Sequence, residues 1–323
     1  MRLVYLGSSQ DSVYPLEYLI ENSRDSGHEI LAVVTQAPKV GGRGRQQNIE
    51  SPLALFAKNN GIVCLQPEKA SDPAFQSTLL SLAPDVMITC AYGQILNDNF
   101  LSIPKRATIN IHPSLLPHYR GATPVQTALL DGLRETGVSI LFTIKELDAG
   151  NIILQKRESI FPEENSGTLM ARLFKLSGPL LLEALEKLKD TSFVGKAQDH
   201  SQVSLCKKIK KEDGLIIWNK DAKSILNQYR AYNPWPGCFT FFQKKRIIIE
   251  KLEIVKNLTK IGAPGFFSFS KEEGSLIVSC LDKQIKIKEL KPEGSRVLMA
   301  SEFWNGIKNR EHLCFSNSSD GNL

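Results

Sequence analysis

The first 112 residues alternate between short apolar runs and segments with helical spacing, and this alternation limits the possible folds more than any other feature of the chain. The apolar runs are rich in β-branched residues and are short enough to be strands. Apolar strands separated by helices are typical of a parallel sheet covered on both faces, with functional residues at the carboxyl ends of the strands. The predicted strands are Arg2–Leu6, Glu29–Thr35, Ile62–Leu65, Asp85–Ala91 and Thr108–Ile111, and the predicted helices are Tyr14–Asn22, Ser51–Asn59 and Ala74–Leu82.

The last third of the chain has a different pattern. Residues 191–206 are polar and lack periodicity, which indicates a linker. After a predicted helix at Asp221–Ala231, about five strand candidates with short polar connections indicate a small antiparallel barrel. We therefore predict an α/β fold with a Rossmann-like, mostly parallel domain at 1–190, a linker at 191–206 and an OB-like β-barrel domain at 207–323.

Charge is divided unevenly between the two predicted domains. The whole chain has a net charge of +6, with 40 Lys and Arg against 34 Asp and Glu. Residues 1–190 hold 18 basic and 20 acidic residues, whereas residues 191–323 hold 22 and 14. A basic domain attracts polyanions such as nucleic acid, because phosphate contacts release counterions. On charge alone, a solvated lysine-rich surface is an equal alternative.

Several classes of protein are disfavoured by what the sequence lacks. The six cysteines form no C-x-x-C pair, which argues against a zinc ribbon and a disulfide framework. No run approaches the roughly 18 apolar residues of a membrane span, and the N-terminal apolar stretch is too short for a signal peptide. The first turn, from Gly7 to Ser12, lacks the GxGxxG spacing of dinucleotide sites. We expect a cytoplasmic protein that uses no metal.

The run ATINIHPSLLPHYRGATP, residues 107–124, puts polar residues into an otherwise apolar strand. Asn110 and His112 are two positions apart, so their side chains lie on one face, with Ile109 and Ile111 on the other. An amide beside an imidazole can stabilise an oxyanion and transfer a proton. Most such pairs are structural, so a third group is needed. Asp148 is the candidate, although an Asp-x-Gly turn is more commonly structural.

The run GGRGR, residues 41–45, is both glycine-rich and basic. It follows a predicted strand, so it lies at the functional edge of the sheet. Arg43 and Arg45 suit contact with phosphate. A flexible surface loop explains the same residues equally well, and both interpretations stay open.

Taken together, these motifs resemble the 10-formyltetrahydrofolate-dependent formyltransferase family. INIHPSLLPHYRGATPVQ is similar to the family's signature, and ETGVSI, LDAGNI and SGTL follow in the family's order. GGRGR, SPLALFA and AYNPWPG are similar to the branch of the family that acts on tRNA. The resemblance covers nearly the whole chain. It departs from the family at the first turn, where Gly7-Ser8-Ser9-Gln10-Asp11 replaces Gly-Thr-Pro and an aromatic residue.

The resemblance implies roles for individual residues. Asn110, His112 and Asp148 match the family's catalytic residues. The folate-contacting segment and strand end match Ser114, Leu115, Leu116 and Pro117, together with Met87, Ala91, Tyr92 and Gly93. Arg43 and Arg45 lie in the loop that the family directs toward the acceptor end of tRNA. Further candidates for contact with tRNA are the basic residues Lys207, Lys208, Lys210, Lys244, Lys245 and Arg246.

The implied activity is transfer of a formyl group from 10-formyltetrahydrofolate, the co-substrate, to the amino group of initiator methionyl-tRNA, for translation initiation. The attacking α-amine has a pKa at or below about 7.7–8.0, so it needs no activation by the protein. Asn110 and a charged His112, kept charged by Asp148, then stabilise the oxyanion. We expect a monomer. The alternatives are a sugar-nucleotide N-formyltransferase of the same family and a noncatalytic RNA-binding protein.

Overall fold

The computed structural model describes residues 1–41, 47–255 and 262–318, and it divides the chain into two compact units. The first unit comprises Met1–Pro124, Arg134–Ile160 and Thr168–Cys206, and the second comprises Val125–Leu133, Phe161–Gly167 and Lys207–Leu323. Among the described helices, none combines the length and apolarity that spanning a membrane requires.

A seven-stranded sheet organises the first unit. The elements up to residue 187 are β1 (Arg2–Gly7), α1 (Val13–Ser26), β2 (Glu29–Val34), β3 (Lys39–Gly41), β4 (Gln47–Ile49), α2 (Pro52–Asn59), β5 (Cys64–Leu65), α3 (Pro73–Ser81), β6 (Val86–Cys90), α4 (Asp98–Leu101), β7 (Ala107–His112), α5 (Pro124–Leu130), β8 (Glu135–Phe142), β9 (Ile152–Ser159) and α6 (Ser166–Lys187). The sheet order is β5-β2-β1-β6-β7-β8-β9, with β8 and β9 antiparallel to their neighbours and the other pairs parallel. The predicted mostly parallel sheet is confirmed.

Local sequence signals explain where the helices of this unit begin. The Ser51 side chain accepts a hydrogen bond from the Ala54 N–H, and Asp72 caps α3 in the same way through Ala74, both at 3.0 Å. Each cap is followed by a proline at the first helical position. The backbone N–H at that position has no acceptor within the helix, so proline, which lacks an N–H, loses no hydrogen bond there.

Strand β1 lies between β2 and β6, so successive strands are added first on one side of β1 and then on the other. In open α/β sheets the crevice for ligands forms at the carboxyl ends of the strands at such a reversal. Strand β7 pairs with β6 in parallel, and Thr89 stands opposite Asn110. The carboxyl end of β7 is therefore one strand away from the reversal.

Asp85 ties the amino ends of β1 and β6 together. One carboxylate oxygen accepts a hydrogen bond from the Arg2 N–H at 2.8 Å, and the other lies 3.7 Å from Lys105 Nζ. The hydrogen bond from Arg2 is the main cause that lowers the pKa of Asp85, with the charges of Lys105, the N-terminal amine and Arg106 adding to it. Because the folded pKa is the lower one, this stabilisation is present at neutral pH and is lost as the pH falls through the folded pKa.

We expect Asp85→Asn to lower the free energy of unfolding by about 1–2 kcal/mol at pH 7, with the difference from wild type shrinking below about pH 4. Urea unfolding at a series of pH values measures it. Asp98→Asn is the control, because Asp98 pairs with Lys145 on the surface with its side chain 69% exposed, and exposed pairs contribute about 0–1 kcal/mol. An Asp85→Asn difference that is the same at pH 7 and pH 3 contradicts the assignment.

An antiparallel sheet organises the second unit, as predicted. Besides most of α5, its elements are α7 (Ala222–Tyr232), β10 (Cys238–Phe242), β11 (Lys245–Ile254), β12 (Phe267–Ser270), β13 (Ser275–Ser279), β14 (Gln284–Pro292), β15 (Leu298–Met299) and α8 (Ala300–Asn305). The strand order is β10-β11-β14-β13-β12, and β15 pairs with β14.

The segment 313–316 closes this sheet into a barrel. Ser316 exchanges backbone hydrogen bonds with Phe241 on one edge strand, at 2.9 and 3.1 Å, and the Phe267 N–H donates to the Leu313 carbonyl from the other edge at 3.0 Å. Phe315, between them, stacks on Phe267 with ring centroids 4.3 Å apart. Closure satisfies backbone groups that open edges would leave unpaired.

Residues of the stretch predicted as a linker, 191–206, make hydrogen bonds within the first unit. Lys196 exchanges two backbone hydrogen bonds with Ile152, each of 2.8 Å. The Arg120 N–H donates to the Ser204 carbonyl at 2.9 Å, and the Cys206 N–H donates back to the Arg120 carbonyl at 2.8 Å. This stretch is thus attached at two places, to the start of β9 and to the loop that follows β7.

Candidate active site

Strand β7 brings Asn110 and His112 to one face of the sheet, as the alternation predicts. Ile109 and Ile111 are 0% and 2% exposed on the opposite face. On β6, the Thr89 hydroxyl donates to Asn110 Oδ1 at 2.8 Å, and Asn110 Nδ2 donates to Asp148 Oδ1 at 3.3 Å. These two partners determine the orientation of the amide, since the carboxylate oxygen can only accept and the hydroxyl supplies the proton to the amide oxygen.

The His112 ring is almost completely buried, with 5% of its side chain exposed. Its Nε2 lies 2.9 Å from the carbonyl oxygen of Tyr119, and its Nδ1 lies 3.6 Å from Asp148 Oδ2. A carbonyl oxygen can only accept, so Nε2 carries a proton. Nδ1 faces a carboxylate oxygen, and an imidazolium satisfies both neighbours at once. Nε2 is therefore the anchored nitrogen, and Nδ1 is the nitrogen that can serve a reacting group.

Asp148 occupies the turn between β8 and β9 and joins the two β7 side chains. Its φ is 51°, a left-handed conformation that costs a non-glycine residue about 1–2 kcal/mol. The Gly121 N–H donates to Asp148 Oδ2 at 2.8 Å, so the carboxylate faces three donors from Asn110, His112 and Gly121. The structure thus brings the three predicted catalytic residues together.

The predicted folate segment, residues 114–117, is held in place from two neighbouring strands. On β8, the Ser139 hydroxyl donates to the Ser114 carbonyl at 2.6 Å, and on β9, Gln155 Nε2 donates to the Leu116 carbonyl at 2.8 Å. The segment includes a cis peptide bond between Leu116 and Pro117. Neither Ser139 nor Gln155 was identified from the sequence, where a polar residue within a strand is the only signal.

The four residues predicted at the end of β6 fall into two groups. Met87 and Tyr92 belong to the core of the first unit, with exposed fractions of 0% and 4%. Burial raises the pKa of Tyr92 to about 12. Ala91 and Gly93 are exposed and adopt positive φ of 50° and 77°. Only Ala91 and Gly93 of these four can present their backbone freely to a ligand.

An open cleft of about 500 Å³ lies at the same edge of the sheet, between the segments that follow β2 and β6 and beside the one that follows β5. Its lining includes Gln36, Lys39, Lys69, Gly93 and Gln94. Gln36 Nε2 donates to the Tyr92 carbonyl at 2.7 Å and so connects the two segments. The edge therefore holds room for a ligand beside Gly93.

The residues predicted to contact tRNA fall in three places. Arg43 and Arg45 lie outside the described residues. Lys207, Lys208, Lys210, Lys244 and Lys245 are exposed in the second unit. Arg246 is half-buried, with its guanidinium carbon 3.8 Å from the centre of the Phe239 ring. A cation held on an aromatic face is less free to reach a phosphate than the exposed lysines.

Two further residues of the site were missed from the sequence. Gln198 Nε2 donates to the carbonyls of Asp148 and Gly150, and Arg120 donates to Gln198 Oε1. Neither belongs to a motif whose chemistry points to Asp148. Among the described residues, no group of three His, Cys, Asp or Glu side chains is arranged to hold a metal ion.

Comparison with known proteins finds relatives along nearly the whole chain. A formyl transferase family model matches residues 1–185, and a model of the formyl transferase C-terminal domain matches residues 208–308. A methionyl-tRNA formyltransferase from Carboxydothermus hydrogenoformans is 37% identical over 308 residues, which are 95% of this chain and 97% of that protein. One from Thermotoga maritima is 38% identical over 307 residues, 95% of each chain.

Two solved structures show the same fold at low identity. HypX from Aquifex aeolicus in complex with tetrahydrofolic acid has a TM-score of 0.65 and 18% identity, covering 98% of this chain and 50% of that one. WlaRD, a sugar 3N-formyl transferase, has a TM-score of 0.64 and 19% identity, covering 92% of this chain and 99% of that one.

Proposed function

The chain belongs to the formyl transferase family, and we propose that it transfers the formyl group of 10-formyltetrahydrofolate to the α-amino group of initiator methionyl-tRNA. The observation that carries the mechanism is the convergence of the Asn110 amide and the His112 ring on the two carboxylate oxygens of Asp148. The methionyl-tRNA acceptor is supported by full-length relatives with that activity in their names. The sugar formyl transferase shares the fold but only 19% of the sequence, which gives less support to a sugar acceptor.

The reaction begins when the neutral α-amine attacks the formyl carbon. A free α-amino group has a pKa of about 7.7–8.0, so a substantial fraction is neutral near pH 7.5 without a protein base. Attack forms the new C–N bond and places negative charge on the formyl oxygen. Breaking the bond to N10 of the folate then requires that N10 gain a proton and that the attacking nitrogen lose one. The protein must therefore stabilise an oxyanion and transfer a proton.

Asn110 and His112 supply these two functions. One N–H of the Asn110 amide is directed to Asp148, and the second is the donor for the oxyanion. His112 is anchored through Nε2, and its Nδ1 lies 3.6 Å from Asp148 Oδ2, beyond hydrogen-bond distance, so the Nδ1–H acts as the second donor. Nδ1 gives this proton to N10 as the bond between the formyl carbon and N10 breaks, and it takes up the proton that the attacking nitrogen loses. A single well-placed donor in such a site stabilises the transition state by about 3–4 kcal/mol. The negative charge of Asp148 lies beside the ring, with Oδ2 3.6 Å from His112 Nδ1.

The folate lies, in this proposal, against the segment from Ser114 to Pro117 and the exposed backbone of Ala91 and Gly93, with Met87 and Tyr92 supporting that strand end from the core. Residues 1–190 form the catalytic domain, and residues 207–323, joined through 191–206, form the tRNA-binding domain. Arg43 and Arg45 contact the acceptor end of the tRNA. The proposed steps use no metal, and we expect the protein to act as a cytoplasmic monomer.

One assay tests the proposed activity. The protein is incubated with 10-formyltetrahydrofolate and charged initiator tRNA, and with a UDP-amino-sugar and glycinamide ribonucleotide as competing acceptors. We expect the formyl group on the methionyl-tRNA alone. Formylation of an amino-sugar in preference to the tRNA contradicts the acceptor, and formylation of none of the three contradicts the activity.

The exposed lysines of the β10–β11 turn offer a test of the tRNA-binding domain. For the double variant Lys244→Ala/Lys245→Ala we expect weaker tRNA binding. We also expect a weaker salt dependence: the slope of log Kd against log salt concentration should be shallower by about one for each lysine that contacts phosphate. Filter binding at several salt concentrations measures the slope. The rate at saturating tRNA should be unchanged.

Lys286→Ala/Lys288→Ala is the matched control for that experiment. It removes the same charge from the same domain, but Lys286 and Lys288 are already paired with Glu253, at 3.5 and 2.7 Å. We expect its slope to stay at the wild-type value. Equal slopes for wild type and the Lys244/Lys245 variant contradict a role for that turn in tRNA binding.

A further inference from the structure

Gln198 stands out because its side chain reaches from the stretch predicted as a linker into the turn that carries Asp148. The residue is 6% exposed. Its Nε2 donates to the carbonyl oxygens of Asp148 and Gly150, each at 2.8 Å. One amide group thus spans the two ends of the Asp148-Ala149-Gly150 turn and uses both of its N–H donors there.

Arg120 sets the orientation of the Gln198 amide. Its Nε and Nη2 donate to Gln198 Oε1 at 3.1 and 2.9 Å, and its Nη1 lies 3.3 Å from Glu146 Oε1. The guanidinium is a donor only, and the two carbonyls are acceptors only, so a single orientation of the amide satisfies every partner. Arg120 is 3% exposed, which makes this arrangement costly to break.

The residue that follows Arg120 holds Asp148 from its other side. The N–H of Gly121, the residue after Arg120, donates to Asp148 Oδ2 at 2.8 Å. The carboxylate is therefore held directly by Gly121, and its backbone is held by Arg120 through Gln198. Gln198 itself lies between two attachments of its segment, the Lys196–Ile152 pair and the Ser204–Arg120 hydrogen bond.

Asp148 needs this support because its backbone conformation is unfavourable. A non-glycine residue at φ 51° keeps that conformation only where its surroundings require it. Without Gln198, the two turn carbonyls lose their partner and the turn can relax, which moves the carboxylate relative to Asn110 and His112. A displacement of about 1 Å in a catalytic constellation can lower the rate roughly 10²-fold.

We infer that Gln198, oriented by Arg120, is a positioning residue for formyl transfer, which fixes the Asp148 turn and through it the charge beside His112. This inference rests on the proposed function. It assigns a role in catalysis to a residue that touches no reacting atom and that lies about 50 residues from Asp148 in the chain, in a stretch with no motif of its own.

The test compares two variants of Gln198 with wild type. For Gln198→Ala we expect kcat to fall about 10- to 100-fold while KM for the folate and for methionyl-tRNA changes less than about threefold. Gln198→Glu keeps the volume and an acceptor for Arg120, but its carboxylate cannot donate to the two turn carbonyls. We expect it to lose as much kcat as Gln198→Ala, which a residue that merely fills space would not.

Gln202→Ala is the matched control, because Gln202 belongs to the same segment but its amide donates to Asp199 on the surface, at 2.8 Å. Its kcat should equal the wild-type value. If Gln198→Ala does not fold, the kcat of Gln198→Glu alone decides between the two roles. If thermal unfolding shows that neither variant folds, the inference is overturned, because the role of Gln198 is then structural. Wild-type kcat in both also overturns it, whereas an inactive wild-type protein contradicts the proposed function instead.

Discussion

Asn110→Ala and His112→Ala should each lower kcat for formyl transfer by about 10²–10³-fold, with tRNA affinity close to wild type. The Asn110→Ala variant lacks the amide donor that faces the formyl oxygen. It also leaves the Thr89 hydroxyl and the Asp148 carboxylate without their amide partner. His112→Ala removes both the second donor and the proton for N10. Since these interactions form only as charge develops on the oxygen, the loss should appear in kcat with little change in KM.

Single-turnover formylation measures the loss of rate, and filter retention measures tRNA binding separately. The double variant should be little worse than either single variant, because both side chains act through the same carboxylate of Asp148. His200→Ala and Asn99→Ala, two exposed positions, are the controls and should retain wild-type rates. Turnover near wild type in either single variant refutes the assigned role, and weakened tRNA binding in both would point to a binding role instead.

Gly150→Ala should lower the free energy of unfolding of the first unit by about 3 kcal/mol or more. A Cβ at this position would lie 1.9 Å from the Phe142 carbonyl oxygen and 2.8 Å from its carbon. Both are backbone atoms at the end of β8, where the Phe142 N–H donates to the Asn151 carbonyl at 2.9 Å, so no side-chain rotation can relieve the overlap. The turn must move, and Asp148 with it.

Thermal and urea unfolding of the full chain measure this effect, and the folded protein should also have a reduced kcat, since Asp148 is displaced. Gly306→Ala is the control: its φ is −77°, and a Cβ there would meet its nearest atom, the Phe303 carbonyl oxygen, at 3.4 Å. We expect Gly306→Ala to lower the free energy of unfolding by less than about 1 kcal/mol, as an ordinary surface substitution does. An unchanged Tm for Gly150→Ala would show that the turn can adapt.

The sequence predicted the parallel sheet, the antiparallel C-terminal sheet and the family because each rests on local information. Strand β7 is an example. Its β-branched residues favour a strand, and the alternation within it already puts Asn110 and His112 on one face. The motif around them is long enough to identify the family, and the family models confirm it. Asp148 was a candidate from its turn alone, without a way to test its distance from the strand.

Other features depend on pairings between distant parts of the chain. Gln198 and Arg120 contact each other although 78 residues separate them, and the segment 313–316 closes a barrel whose other strands begin at Cys238. Neither pairing leaves a periodic pattern, because a single side-chain hydrogen bond or a short bridging segment needs only a few residues.

By itself, then, the sequence determined the alternation of the main strands and helices in the first 112 residues, the face of β7 that carries the chemistry and the family, since propensity and alternation act between neighbouring residues. The tertiary structure alone decided that Asp148 meets both side chains, which histidine nitrogen is anchored by Tyr119, and that Gln198 holds the turn. These contacts arise only when the packed sheet brings the loops after β7 and β8 together, and directional hydrogen bonds then select one arrangement.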